Sequence, residues 1–422
     1  MTTKNYFPRL CDRLLQEQLE ASGAVLVEGA KWCGKTSTAA HAARSVLYMQ
    51  DPDRSATFRR AADTKPSLLL EGATPRLLDE WQEAPVLWDA VRFAVDQRGE
   101  VGQFILTGSA VPLDHATMHT GTGRIARLKM RPMSLWESQE SSGSVSLGAL
   151  FDGTAQTEAF SSVTVEDLAF LTCRGGWPAA VRLNGKAALR TAENYVEAII
   201  QQDVHRVDEV EKNPERVYQL LRSLARNTAT MCTATTLMAD VNASDATITD
   251  KTLSTYLNAL RRIFVVEDLP AWQPSLRSKT ALRTSAKRHF VDPSIGAAVL
   301  HADPQSLLSD FNTFGFFFES LCVRDLRVYA QALGGDVFHY RDKSNLEADA
   351  IIRLRDGRWG AVEVKLGSRE IDEAALHLLA LQNKVDADRM GRPSFLMVLT
   401  GGELAYRRQD GVFIVPLACL KD

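Results

Sequence analysis

An eight-residue motif near the start of the chain constrains its fold more than any other feature. Residues 29–36 match the pattern G-x-x-x-x-G-K-[ST] at every fixed position. The apolar run Ala24–Val27 before the motif predicts a buried strand, and the Ala- and Thr-rich segment Thr36–Arg44 predicts a helix. Strand, glycine-rich loop and helix in this order predict a loop whose backbone N–H groups surround a phosphate. The alternative is a glycine-rich turn that contains a lysine by chance.

The side chains of this motif have separate expected roles. Lys35 would reach the β- and γ-phosphates of a nucleotide, and the hydroxyl of Thr36 would hold Mg²⁺. The loop as a whole is expected to contact the nucleotide, through Gly29, Ala30, Lys31, Trp32, Cys33, Gly34, Lys35 and Thr36. The first segment of the chain is therefore predicted to bind ATP or GTP together with Mg²⁺.

Two further strands end in polar residues. The first ends in Asp79 and Glu80, where Asp79 is expected to hold Mg²⁺ through water and Glu80 to orient the attacking water as a general base. The second ends in Thr107 and Ser109, either of which could sense the γ-phosphate. The alternatives are an ordinary acidic turn and an ordinary Thr-Gly-Ser turn. Three such strand ends predict a nucleotide site at the carboxyl edge of a parallel sheet.

These segments together resemble a family of prokaryotic ATPases related to the AAA+ class. The resemblance is carried by residues 6–10, 29–36, 77–81, 105–109 and 123–137. It implies ATP rather than GTP, and it makes Arg124 a candidate for the arginine that touches the γ-phosphate, from the same chain or a neighbour. The alternative for Arg124 is a salt-bridging surface arginine. Members often carry a C-terminal domain of unsettled function, and AAA-like enzymes often form rings, so a homo-oligomer or a protein partner is compatible with the resemblance.

Length and composition describe an ordinary globular protein with several domains. The 422 residues predict two to four domains, and 45% of the residues are hydrophobic. The net charge of -3 excludes a strongly basic nucleic-acid coater but not a local basic face. Six cysteines without paired spacing predict neither a zinc site nor a disulfide framework. With no apolar signal core and no apolar run of transmembrane length, the chain is expected to be cytoplasmic, with no membrane partner.

The middle of the chain resembles a winged helix-turn-helix. Residues 213–227 predict an amphipathic helix, residues 250–262 a recognition-type helix, and residues 264–270 a strand of the wing. Such a domain binds DNA in some proteins, but in many ATPases it serves only as a packing or lid element. A basic cluster follows that could track a phosphate backbone or form a solvated or docking surface, and it consists of Arg277, Lys279, Arg283, Lys287 and Arg288.

The C-terminal segment contains a second set of chemically informative residues. Asp349 lies on one predicted strand, and Glu363 and Lys365 share one face of the next. With Glu319 on the preceding helix and Gln382 on a later one, this set resembles the D…E-x-K core of restriction-endonuclease-like domains. The resemblance implies that Asp349 and Glu363 hold Mg²⁺, while Lys365 positions or deprotonates water. Fold alone does not decide whether such a domain cuts nucleic acid or only binds it.

The whole sequence predicts an α/β protein in three parts. Residues 1–140 are expected to form a P-loop parallel-sheet ATPase domain of AAA type, residues 160–300 a helical and winged-helix region, and residues 305–412 a restriction-endonuclease-like α/β domain. One predicted function is an ATP-hydrolysing protein that acts on or binds DNA or another nucleic acid, with an Mg²⁺-dependent nuclease site. The alternative is a nucleotide-dependent regulatory switch whose C-terminal domain binds DNA or protein without cleavage.

Overall fold

The buried aliphatic strands predicted around the phosphate loop form a parallel sheet. The computed structural model describes residues 6–108, 122–207, 212–243, 248–273 and 285–422. The chain forms two compact units, and the first consists of Met1–Pro132, Asp203–Glu211 and Asn258–Phe264. The second unit holds the remaining residues. The chain is thus a mixed α/β protein that contains a parallel sheet.

The first unit is built on a five-stranded sheet in the order β2-β3-β4-β1-β5, with every described pairing parallel. Its strands are β1 (Ala24–Gly29), β2 (Ser45–Tyr48), β3 (Arg76–Asp79), β4 (Phe104–Gly108) and β5 (Ile125–Met130). Its helices are α1 (Leu10–Ala21), α2 (Lys35–Ala42), α3 (Ser55–Thr64) and α4 (Val86–Arg98), with short 3-10 helices at Pro66–Leu70, Trp81–Glu83 and Asp203–Arg206. The parallel pairing brings the carboxyl ends of β1, β3 and β4 to the same edge.

Both faces of this sheet are covered. Leu26 of β1 lies in an apolar cluster with Val91 of α4, whereas Val25 and Val27 lie in a second cluster with Leu15 of α1. Successive residues of a strand point to opposite faces, so β1 contributes to both clusters. A strand buried on both sides reads as a continuous hydrophobic run, which is why the segment was recognisable as a core strand.

The second unit contains a mixed seven-stranded sheet in the order β7-β12-β13-β11-β10-β9-β8. The strands of this unit are β6 (Val145–Ser146), β7 (Ala159–Phe160), β8 (Gly335–Arg341), β9 (Glu347–Leu354), β10 (Trp359–Lys365), β11 (Phe395–Thr400), β12 (Leu404–Arg407), β13 (Phe413–Pro416) and β14 (Leu420–Lys421). Strands β8, β9 and β10 form an antiparallel meander, and β10, β11 and β13 run parallel. Strands β6 and β14 pair separately.

Helices make up most of the rest of the second unit. They are α5 (Leu147–Asp152), α6 (Val165–Arg174), α7 (Pro178–Val181), α8 (Gly185–Gln201), α9 (Pro214–Arg226), α10 (Ala234–Asn242), α11 (Asp250–Arg262), α12 (Pro293–Val299), α13 (Pro304–Ser309), α14 (Phe311–Ala332), α15 (Ile371–Lys384) and α16 (Ala387–Met390). The last turn of α11 belongs to the first unit. Helix α14 packs on β8, and α15 packs on β10 and β11. Among the described residues, no helix is both long and apolar enough to span a membrane.

A hairpin follows helices α9, α10 and α11. Its two hairpin arms, residues 265–272 and 285–291, are joined by antiparallel bridges at Val266 with Phe290 and at Leu269 with Lys287. The sequence predicted helices at residues 213–227 and 250–262 and a wing strand at residues 264–270, and α9, α11 and the first hairpin arm lie at these positions. The winged-helix assignment itself stays a prediction.

A buried ion network organises the second unit. The Arg324 guanidinium donates to Asp292 at 3.0 Å and lies 2.7 Å from Asp325, and all three side chains are at most 1% exposed. Asp292 also accepts from the backbone N–H of Gly176, and Asp325 from that of Leu135, both at 2.9 Å. The second unit begins at Met133, whereas the sequence placed the end of the ATPase domain at about residue 140.

Candidate functional site

The phosphate loop lies between β1 and α2 and has the backbone that its glycines permit. Gly29 has a φ of 156° and Gly34 a φ of 106°. A Cβ atom at Gly29 would lie 2.0 Å from the carbonyl oxygen of Met130. A larger residue would therefore clash at this position, and the left-handed region favours glycine at both. The loop ends at the N-terminus of α2, where backbone N–H groups attract an anion.

Lys35 lies inside this loop. Its side chain is buried, and its ammonium donates to the carbonyl oxygens of Gly29 at 2.9 Å and Ala30 at 2.8 Å. The ammonium is thus held against the backbone that is expected to surround a phosphate.

Asp79 joins three elements at the carboxyl edge of the sheet. Its Oδ1 accepts from the hydroxyl of Thr36 at 2.8 Å and from the hydroxyl of Thr107 at 2.7 Å. The β3–β4 register places Asp79 and Thr107 opposite each other, so the contact follows from the pairing. Thr36 and Asp79 offer the neutral and anionic oxygen ligands that Mg²⁺ prefers, and this pair fits the ion.

Glu80 follows Asp79 in a left-handed conformation, with a φ of 54°. Its backbone N–H donates to the hydroxyl of Thr107 at 3.2 Å, and its carboxylate accepts a hydrogen bond from Gln82. The expected general base is therefore placed beside the expected Mg²⁺ ligand. Sequence reasoning did not identify Gln82, although it lies two residues after Glu80.

The outer side of the loop is fixed by residues outside it. Lys31 forms an ion pair with the buried Asp203. Arg9, which is 7% exposed, donates to the carbonyl oxygen of Cys33 at 2.9 Å. The Cys33 side chain is fully buried, while Trp32 is 47% exposed. Arg9 lies in the N-terminal segment that carried part of the resemblance, but no local sequence signal pointed to Asp203.

Arg124 is not brought to this edge of the sheet. It precedes β5, whose first residue, Ile125, pairs with Ala24 at the start of β1. Its Nε donates to Asp96 at 2.9 Å. Since strands rise about 3.3 Å per residue, the length of β1 separates Arg124 from Gly29 by roughly 20 Å. Contact with a γ-phosphate bound in the same chain does not fit this geometry, and action from a neighbouring copy stays a prediction. Ser109, the other predicted sensor, lies outside the described residues.

The predicted C-terminal motif residues lie on adjacent strands. Asp349 on β9 accepts from the backbone N–H of Val364 on β10 at 3.0 Å. On β10, the Lys365 ammonium lies 3.8 Å from the carboxylate of Glu363. The structure thus brings together the three residues of the D…E-x-K pattern, and Gln382 lies on α15.

A second lysine enters this group of carboxylates from the hairpin. The Lys287 ammonium donates to Glu319 Oε1 at 2.7 Å and to Asp349 Oδ1 at 2.9 Å. We call Glu319, Asp349 and Glu363 the carboxylate cluster. Lys287 is only 5% exposed, so it is neither available to a phosphate backbone nor solvated, which are two of the roles that the sequence left open. Arg288 is also engaged, donating to Asp268 at 2.7 Å. The other basic-cluster residues, Arg277, Lys279 and Arg283, lie outside the described residues.

Burial and the two lysines set the protonation of the carboxylate cluster. Burial, together with the Asp349 charge, raises the pKa of Glu319 to about 7. The same two causes raise the pKa of Glu363 well above its ordinary value. Burial opposes the ionisation of Asp349, but Lys287 holds the pKa of this carboxyl below its ordinary value. Burial likewise opposes the charge of Lys287, but Asp349 and Glu319 raise its pKa above the usual value.

Mg²⁺ fits the carboxylate cluster poorly. One oxygen of Asp349 accepts from Lys287 and the other from the Val364 N–H. In the parts of the chain that the structure describes, no three His, Cys, Asp or Glu side chains are grouped to hold a metal ion. The predicted metal role of Asp349 and Glu363 is therefore not supported by this arrangement.

Comparison with protein families gives three matches. Residues 21–139 match the AAA domain family, residues 165–306 a domain of unknown function (DUF8612), and residues 314–420 another (DUF4143). A search of the curated proteins gives no match. Among solved structures, a Walker-type ATPase of Pyrococcus abyssi is similar at 11% identity and a TM-score of 0.42, over 71% of this chain and 97% of that chain. The family match over residues 21–139 supports the prediction of a P-loop ATPase domain in this part of the chain.

Proposed function

Given the AAA-type P-loop ATPase domain in this chain, we propose that the protein is an ATP-hydrolysing switch whose second unit binds nucleic acid without cutting it. One observation carries the ATPase proposal. Lys35, Thr36, Asp79, Glu80 and Thr107 meet at the carboxyl edge of one parallel sheet. This edge is where open α/β sheets bind ligands.

Each of these residues has a distinct proposed role. The ammonium of Lys35 exchanges its backbone acceptors for the β- and γ-phosphate oxygens of ATP. Thr36 and Asp79 hold Mg²⁺, which when bound compensates the phosphate charge. Glu80 orients the water for in-line attack and accepts its proton. Thr107 holds Asp79 in place through its hydroxyl.

The ATPase proposal is tested by phosphate release from ATP. Lys35→Ala is expected to lower turnover at least 100-fold, since the phosphate loses its main cationic contact. Glu80→Gln is expected to retain ATP binding while losing turnover, because only proton abstraction is removed. Lys186→Ala, on the exposed surface of α8, is the matched control. Unchanged hydrolysis by Lys35→Ala would overturn the assignment of the loop.

The proposed partner of the second unit is nucleic acid. The order of α9, α10, α11 and the hairpin supports this, since such an arrangement can place one helix in a DNA groove. On α11, Lys251 and Asn258 are exposed while Leu253 and Leu257 are buried. The apolar stripe thus packs inward and leaves polar side chains available. Fluorescence anisotropy with labelled DNA tests this, and Lys251→Glu should weaken binding and reduce its salt dependence relative to Lys186→Glu. Equal affinities would contradict a role of α11.

The absence of cleavage is proposed because Lys287 occupies the cation position at Asp349. Labelled single- and double-stranded DNA and RNA are incubated with Mg²⁺ or Mn²⁺, with and without ATP, using wild type and Asp349→Ala. Both proteins are expected to leave the substrates intact. Cleavage by wild type that Asp349→Ala loses would replace the switch with a metal-dependent nuclease.

A further inference from the structure

The hairpin fixes the position of Lys287 through its backbone. The N–H and the carbonyl of Lys287 both bond to Leu269 on the opposite arm, at 3.0 Å and 2.8 Å. The same arm is tied to β8, because Trp272 donates to the carbonyl of His339 at 2.6 Å and His339 donates to Pro270 at 2.9 Å. Lys287 therefore extends from an arm that is bonded to the opposite arm, which in turn is bonded to β8. Its side chain is 7% exposed, so its placement in the carboxylate cluster is a packed arrangement.

The ammonium of Lys287 bridges two different elements. It bonds to Glu319 on α14 and to Asp349 on β9, at distances typical of charge-assisted hydrogen bonds. A divalent cation bound between Glu319 Oε1 and Asp349 Oδ1 would occupy the position of this ammonium. Two positive charges cannot share that position, because the desolvated ions would repel each other.

We propose that Lys287 is the built-in cation of the carboxylate cluster, taking the place at Asp349 that a divalent metal would need, so that the wild-type site binds no divalent metal. This inference rests on the non-cleaving part of the proposed function and gives it a physical cause. It is separable from ATP hydrolysis, because it concerns side chains of the second unit alone.

The carboxylates of the cluster need no metal to compensate their charge. Lys287 and Asp349 form an ion pair, with their pKa values moved in the directions that keep both charged. The pKa values of Glu319 and Glu363 are raised, which favours their neutral forms in the buried site. Lys365, 3.8 Å from Glu363, adds a second positive charge. A divalent ion would therefore enter a site that already holds two ammonium groups.

Metal binding to the full chain tests the proposal. Free Mn²⁺ is measured by electron paramagnetic resonance during titration of nucleotide-free protein. Wild type and Asp349→Asn are expected to bind Mn²⁺ equally, because Asp349 contributes no metal site. Lys287→Met is expected to gain a Mn²⁺ site at least tenfold tighter than any in wild type, and Lys287→Met with Asp349→Asn should lose it.

Two matched variants test whether a gained Mn²⁺ site is due to the lost charge of Lys287. Arg288→Met removes a neighbouring cation that pairs with Asp268 instead, and it should gain no site. Lys287→Arg keeps the charge and should also gain none. If Lys287→Met does not fold, as judged by circular dichroism, the comparison of Mn²⁺ binding by wild type and Asp349→Asn still tests whether Asp349 contributes to a metal site. A wild-type Mn²⁺ site that Asp349→Asn removes would overturn the proposal, whereas failure of the ATPase proposal would appear only in phosphate release.

Discussion

Replacing Glu319 with Gln should change how stability depends on pH. Burial, with the nearby Asp349 charge, raises the pKa of Glu319 from 4.5 to about 7. The charged groups that face it are Lys287 from the hairpin, Asp349 from β9 and Lys365 from β10. In the Glu319→Gln variant, the side-chain amide would keep an oxygen to accept from Lys287 but could not ionise.

The sign follows from proton linkage. In the wild-type protein, the folded state binds the Glu319 proton more tightly than the unfolded state does. The contribution of this proton to folding stability is therefore fully present below pH 4.5 and is lost as the pH rises through about 7. The shift is 7 − 4.5 = 2.5 pKa units. At about 1.4 kcal/mol per unit, the full titration corresponds to roughly 3–4 kcal/mol. The free energy of unfolding of Glu319→Gln, measured relative to wild type, should therefore rise by about 3 kcal/mol between pH 4.5 and pH 8.

Urea unfolding followed by tryptophan fluorescence measures this difference at intervals across that pH range. Glu197→Gln, on the exposed surface of α8, is the control and should show a nearly constant difference from wild type. A Glu319→Gln difference that stays constant with pH would refute the reasoning. A difference that grows as the pH falls would reverse its sign and refute it equally.

Three further changes test other parts of the molecule. Thr107→Val should lower ATP turnover by roughly 10- to 100-fold, because a hydrogen bond to the charged Asp79 is worth about 1.5–3 kcal/mol; turnover equal to wild type would contradict this. Arg324→Met should lower the free energy of unfolding by about 3–5 kcal/mol in denaturant titrations, because two buried aspartates lose their partner; a loss below about 1 kcal/mol would argue against the network. Arg124→Ala should leave ATP turnover unchanged in dilute, monomeric protein, since Arg124 pairs with Asp96 far from the loop; a large loss there would show that it acts within its own chain.

The carboxyl edge of the first sheet was the most predictable part of the chain. Its residues follow fixed spacings within short segments, and a parallel sheet brings strand ends together whatever the details of packing. The side chains of Thr36, Asp79 and Thr107 could therefore be expected at one edge, and the structure places them there. Arg124 was harder to place, because a Gly-Arg pair does not reveal at which edge of the sheet it lies.

The role of Lys287 could not be read from its surroundings in the sequence. A lysine among other basic residues, Ser and Thr is usually a solvated side chain, whereas its partners lie 32 and 62 residues further along the chain. Only the folded hairpin brings them together. The same limit applies to Arg324, whose partner Asp292 is 32 residues away.

The junction between the hairpin and β8 also bears on how the protein behaves in concentrated solution. Strand β8 lies at one end of the seven-stranded sheet, and its unpaired backbone groups could template pairing with another chain. Pro270 and Trp272 instead bond to His339 in the middle of that strand. The hairpin thus protects β8 from pairing with strands of other protein chains. A variant with a loosened hairpin would be prone to aggregate even where its core remained intact.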